Sequence, residues 1–151
     1  MKTDKIKTVM IALDYDETSQ KVAETGFSLA KEMNSETVLL HVISESPVYY
    51  SSNMYMRELK VDIFSDLKKS TQEFLDKTKK HLGDESIKTV LKEGFIADTI
   101  LNTANELNAD IIVMGSHSRK WLETIILGSA AKDVLNRTTI PLFIVPTRKQ
   151  E

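Results

Sequence analysis

A chain of 151 residues, 41% hydrophobic and 28% charged, has the size of one domain that buries its own core, and this composition excludes long disorder. With 20 basic and 22 acidic side chains the formal net charge is −2, so no global field draws the chain to nucleic acid or to an anionic membrane. The lack of cysteine excludes disulfides and thiol chemistry and fits a reducing compartment; a single cytoplasmic domain over residues 1–151 is the expectation.

In chain order, the first apolar run, Ile6 to Leu13, reads as a strand. Broken by Asp14, it is too short for a signal-peptide core or a membrane span. A helix over Glu17 to Met33 follows, with Val22, Gly26, Phe27, Ala30 and Met33 three or four residues apart on one stripe. Thr37 to Ile43 is the second strand. The connection from Ser44 to Asp62 is longer than compact domains usually carry. It contains Pro47, Tyr49, Tyr50, Met54, Tyr55 and Met56, and reads either as the cover of a site or as a surface excursion packed on a neighbouring helix or partner chain. A second helix from about Ile63 to Leu82 puts Phe64, Leu67, Thr71, Phe74, Leu75, Thr78 and Leu82 on its buried side, with Gly83 as its stop.

The run Ile87 to Lys92 alternates, as an edge strand does. A third helix begins near Phe95 and turns Ile100, Leu101, Ala104 and Leu107 inward. The fourth strand, Asp110 to Met114, is continuously apolar after its aspartate, as befits burial on both faces. A fourth helix, roughly Ser129 to Asn136, carries Ala130, Val134 and Leu135, and Ile140 to Val145 is the fifth strand. Strict alternation of strand and helix favours an open, doubly wound α/β sheet, because parallel strands need right-handed crossovers. The fifth strand is bracketed by Pro141 and Pro146, which suits an edge. Its apolar interior reads as a homodimer surface through Leu142, Phe143, Ile144 and Val145, or as a surface covered by the chain's own helices.

Chemistry concentrates in GSHSRKWLETIILGSA, Gly115 to Ala130, where a strand feeds a glycine and then a helix. Glycine admits backbone amides close to an anion, and the free amides of a helix N-terminus attract negative charge. Competing chemistries lack their motifs: there is no Walker loop, no GxGxxG fingerprint and no HxGH tetrapeptide, and the spacing around Ser118 is not that of a nucleophile elbow. His41, His81 and His117 stand too far apart for a structural zinc site.

Together these residues resemble the universal stress protein family. Its nucleotide-binding members carry Gly, two residues, Gly, nine residues, then Gly-Ser or Gly-Thr after the fourth strand; here the pattern is Gly115-x-x-Ser118-x9-Gly128-Ser129. The first strand ends in Asp14 within ALDYDETS, the second in Leu40-His-Val42, and NADIIVMG matches the family's fourth strand. The resemblance covers nearly the whole chain. It implies a parallel sheet in the order 3-2-1-4-5, of the adenine nucleotide alpha hydrolase-like kind, with a ligand crevice where strands one and four adjoin. It implies also that Asp14 meets a ribose and the backbone around Val42 reads adenine. Gly115, Ser118, Gly128 and Ser129 would hold phosphates, and Ala12 and Met114 would wall the pocket.

The implied ligand is ATP, with ADP and AMP as relatives, bringing Mg2+ on its phosphates. Asp14 as the start of a turn and Ser129 as an N-cap are the competing roles. His117, Arg119 and Lys120 are phosphate contacts or solvated side chains. Ser118 replaces the family's second glycine. A Cβ at a left-handed position costs about 1–2 kcal/mol, roughly tenfold in affinity, while the hydroxyl offers phosphate a donor. Three functions are open: a nucleotide-responsive stress or signalling module, a dimeric adaptor without nucleotide, and a slow ATP hydrolase with Asp14 or His117 as base.

Overall fold

The computed structural model describes residues 5–44, 54–116 and 127–147, and of residues 54–63 the helical backbone alone. The elements are β1 (Thr8–Ala12), α1 (Ser19–Glu32), β2 (Glu36–Ser44), α2 (Met54–Leu82), β3 (Lys88–Gly94), α3 (Ile96–Glu106), β4 (Ile111–Gly115), α4 (Ser129–Arg137) and β5 (Leu142–Val145). The strands form one sheet in the order β3-β2-β1-β4-β5, parallel throughout. The sheet is the one expected from the sequence, with β3 and β5 at its two edges.

Right-handed crossovers place a helix on one face while the chain steps in one direction and on the other face once it reverses. The steps from β1 to β3 run one way and the steps from β3 to β5 run back, so α1 and α2 share one face and α3 and α4 the other. Strand side chains alternate between those faces. Val9, Ile11 and Leu13 therefore join Val22, Phe27 and Leu75 in one core. Met10, Leu40, Val42 and Met114 join Ile100, Ala104 and Val134 in a second. Register is set in the middle of the sheet, where Met10 lies opposite Val38 on one side and Ile112 on the other.

Helix ends follow local chemistry. Gly83 stops α2 in the left-handed region at φ 75°, which its lack of a Cβ permits. The first and third helices end instead on asparagines, Asn34 at φ 53° and Asn108 at φ 52°. The next amides, of Ser35 and Ala109, donate back to the Ala30 and Ala104 carbonyls, each at 2.9 Å. These bonds satisfy carbonyls that the helix would otherwise leave orphaned.

Three expectations are corrected. The second helix starts at Met54, so the connection before it is shorter than Ser44 to Asp62; Met, Arg, Glu, Leu and Lys in its first turns favour helix without a clear apolar stripe. The remaining connection, with Pro47, Tyr49 and Tyr50, lies outside the described residues. Leu67 is 43% exposed and borders a groove beside Asp14, Tyr15 and His41 rather than the core. Leu135 is 52% exposed because its neighbour Val134 occupies the buried position, and one helical step turns the side chain by about 100°.

Candidate functional site

Beyond the carboxyl ends of β1 and β4, where the chain reverses its path across the sheet, lies a crevice of about 330 Å3. Such switch points are where open α/β sheets leave room for a ligand, because the connections on either side diverge. The strand ends supply Ala12, Leu40, Val42, Met114 and Gly115; α3 supplies Ile96 and Ile100; the start of α4 supplies Gly128, Ser129, Ala130 and Ala131. Asp14 stands just past β1 and also lines it.

Of the residues singled out in the sequence, Ala12, Asp14, Val42, Met114, Gly115, Gly128 and Ser129 all border this one crevice. Ser118, with His117, Arg119 and Lys120, lies outside the described residues. Sequence reasoning missed Leu13, Leu40, Ile96, Ile100, Ser116, Ala130 and Ala131. Ile96 and Ile100 had a usable signal, a spacing of four on α3, but that spacing is also the mark of core packing. Ile100 serves both purposes: it is 2% exposed, belongs to the α3/α4-side core and borders the crevice.

Two aspartates follow β1, and the structure separates their roles. Asp16 starts the turn into α1: its Oδ1 accepts the Thr18 amide at 2.8 Å and the Thr18 hydroxyl at 2.5 Å, while its carbonyl accepts the Ser19 hydroxyl at 2.7 Å. The turn role open to Asp14 thus belongs to its neighbour. Among the described residues no hydrogen bond engages the Asp14 carboxylate, which remains available to the crevice. Asp14 keeps accessible surface, but the protein around its carboxyl withholds water, and this desolvation is the largest cause of a raised pKa. The negative charge of Asp16 adds to the rise and His41 opposes it. The imidazole of His41 is held by donating from Nδ1 to the Leu13 carbonyl at 2.6 Å.

At the other wall, Gly128 caps α4 with φ −62° and ψ 160°. That is ordinary extended backbone, so glycine is not required there by strain. The competing role of Ser129 as N-cap does not hold, since the cap is Gly128 and Ser129 is the first helical residue. The N-cap residue makes no side-chain cap bond and the first turn carries no acid, so the leading amides offer their partial positive charge to the crevice. Gly128 itself is tied down, its amide donating to the Ser116 carbonyl at 2.6 Å.

Among the described residues no group of three or more His, Cys, Asp or Glu side chains is placed to hold a metal ion. His81 bonds Glu24 at 2.8 Å on the opposite side of the sheet. No helix among the described residues is long and apolar enough to cross a membrane.

Residues 5–146 match the model of the universal stress protein family. Universal stress protein MJ0531 of Methanocaldococcus jannaschii is 32% identical over 147 residues, covering 96% of this chain and 85% of that protein. The solved structure of the hypothetical protein MJ0577 superposes with a TM-score of 0.78 at 25% identity, over 98% of this chain and 100% of the other. A universal stress protein solved in complex with cAMP superposes with a TM-score of 0.63 at 19% identity, over 95% and 99% of the two chains.

Proposed function

The chain belongs to the universal stress protein family, and from that premise we propose that it binds an adenine nucleotide in the β1/β4 crevice and acts as a nucleotide-responsive stress or signalling module. ATP is the preferred ligand, with ADP and AMP next, and Mg2+ arrives on the phosphates, held by their oxygens and by water. The observation that carries this reading is the polarity of the crevice. A carboxylate without a hydrogen-bond partner among the described residues stands at one wall, and a helix N-terminus with no cap hydrogen bond from its N-cap side chain at another.

A nucleotide matches that polarity. Ribose hydroxyls donate to a carboxylate, which would repel phosphate; phosphate oxygens accept from helix amides. Val42, Ile96, Ile100 and Met114 add apolar walls for a purine, and about 330 Å3 falls in the range of small-molecule sites. The fold accommodates an adenine nucleotide in the cAMP-bound relative. Asp14, Val42, Met114 and Ala12 are assigned to the nucleoside, and Gly115, Ser118, Gly128 and Ser129 to the phosphates. Ligand contacts that order the crevice would change the surface offered to partners, which is all a signal requires.

The module acts in the cytoplasm as a homodimer joined along β5. Support comes from the edge position of β5 and from Phe143, 40% exposed in the middle of that strand. Sedimentation of the wild type as a dimer and of Phe143→Lys as a monomer is the expected result. A second reading, an adaptor that works through protein contacts without nucleotide, is favoured by Ser118 standing where the binding members carry glycine. Slow hydrolysis would use Asp14 or His117 as base; phosphate release that disappears in Asp14→Ala supports it through Asp14, and release that persists at full rate points to contamination or another site.

Calorimetric titration of nucleotide-stripped protein with ATP and Mg2+, with Ser118→Gly in parallel, decides among these. Saturable binding by the wild type supports the module. Binding by the variant alone means that Ser118 closes the site and the adaptor reading holds; binding by neither removes the pocket assignments.

A further inference from the structure

A buried pair of hydroxyls lies behind the phosphate wall of the crevice. Ser116, directly after β4, is 4% exposed, and Thr147, two residues after β5, is 6% exposed. Their hydroxyls hydrogen-bond at 3.1 Å, and the Thr147 amide donates to Ser116 Oγ at 3.0 Å. The backbone of Ser116 is committed as well: its amide donates to the Val145 carbonyl at 2.9 Å and its carbonyl accepts the Gly128 amide at 2.6 Å. One serine therefore joins the end of β4, the tail of β5 and the cap of α4.

Buried hydroxyls are costly unless partnered, so a pair of this kind holds its geometry rather than merely filling space. Ser116 borders the crevice, whereas Thr147 is not among its described lining residues and bonds the Ser116 hydroxyl behind it. We propose that Ser116 and Thr147 are positioning residues for the phosphate end of the site. By anchoring the Ser116 backbone, they fix the Gly128 cap, and hence the leading amides of α4, at the distance and angle an anion requires. Amide–anion bonds lose strength steeply once donor angle and distance drift, so loosening the anchor weakens phosphate binding and leaves nucleoside binding alone. The ligand in this inference rests on the nucleotide reading above.

The test uses the full chain as wild type, Ser116→Ala, Thr147→Val and Thr147→Ser, titrated with Mg2+-ATP and separately with adenosine. Amide hydrogen exchange of the ligand-free proteins is followed at Gly128 and Lys132, whose amides bond the Ser116 and Gly128 carbonyls. Ser116→Ala and Thr147→Val should each weaken ATP about tenfold, as expected for a loss near one hydrogen bond, and change adenosine affinity less than about twofold. Thr147→Ser, which keeps the hydroxyl, should bind as the wild type does. Exchange at the two amides should quicken in the first two variants and not in the third.

Equal losses for ATP and adenosine, or failure of Thr147→Ser to preserve ATP binding, would reduce the pair to general packing and overturn the proposal. So would unchanged exchange together with unchanged ATP affinity. If the wild type binds neither ligand, the nucleotide reading fails by itself, and the positioning of the α4 cap stands or falls on the exchange result.

Discussion

On one face of the sheet Val9, Ile11 and Val113 pack against Val22, Phe27 and Leu75; one residue along the same strands, Met10, Ile112 and Met114 pack against Ile100, Ala104 and Val134 on the other. The two cores draw on the same strands, yet the crevice belongs to the second. Ala12, Leu40, Val42, Ile96, Ile100, Met114 and Ala131 border it, and all are part of, or packed against, the α3/α4-side core. Among the described apolar lining residues, Leu13 is the one that belongs to the α1/α2-side core. The period of two in a strand thus decides which residues reach the crevice, because adjacent residues point to opposite faces.

On both faces small residues set how closely the helices sit. Gly26 brings α1 so near the sheet that an added Cβ would lie 2.7 Å from Ile11 Cδ1, 2.8 Å from Ile11 Cγ1 and 3.2 Å from Val113 Cγ1. On the other face alanines, Ala97 and Ala104 on α3 and Ala131 on α4, occupy buried helix positions. Small side chains let those helices approach the sheet, and beyond the strand ends Ala131 also borders the crevice.

The largest effect tests the α1/α2 face. Leu75 is completely buried, and Leu75→Ala should cost about 2–5 kcal/mol of stability in urea denaturation. The folded protein should bind nucleotide as before; a parallel loss of affinity would break the division between the faces.

Asp14→Asn should act in the opposite way, weakening nucleotide binding by roughly tenfold to a hundredfold, the worth of a hydrogen bond to a charged group. It should also stabilise the ligand-free protein at neutral pH. The folded carboxyl titrates above its ordinary 3.8, so between that value and the raised one the native state binds more protons than the unfolded state. Wild-type stability therefore gains as pH falls through the raised value, and above it the partly desolvated charge is a net cost. The asparagine variant should lose this pH dependence. Nucleotide affinity of the wild type should fall over the same interval as the carboxylate is protonated, which calorimetry at several pH values reads directly.

Gly26→Ala is the smallest of the three. Overpacking costs about 1–3 kcal/mol, against a gain of up to about 1 kcal/mol from replacing glycine inside a helix. A net loss near 1 kcal/mol in thermal or urea unfolding is expected, again with binding unchanged. A net gain would mean that Ile11 yields readily and that the α1 face is less tightly seated than the geometry indicates.

Much of this was readable from short segments. The continuous apolar run of β4, the alternation through Leu91 and Lys92 at the edge, the stripe of α1 and the stop at Gly83 are local patterns, each produced by the period or the backbone freedom of a few neighbouring residues. The strand–glycine–helix order around Gly115 and Gly128 is local as well, and it pointed to the crevice that the fold then assembles. Other features resisted for definite reasons. Leu67 and Leu135 fit their helices' apolar spacing, but whether a position on a helix face meets the core depends on what is packed opposite. Ile96 and Ile100 carry the spacing of core residues, and only the end of the neighbouring strands makes them a wall.

By itself the sequence determined the order of elements, the parallel sheet and the segments that meet at its switch point, because periodicity and turn chemistry act between near neighbours. Only the tertiary structure decided that the Asp14 carboxyl is desolvated with His41 acting on it, and that Ser116 finds Thr147 across 31 positions of chain. Desolvation and buried hydrogen bonding are set by groups brought together from distant segments, and no spacing within a single segment carries that information.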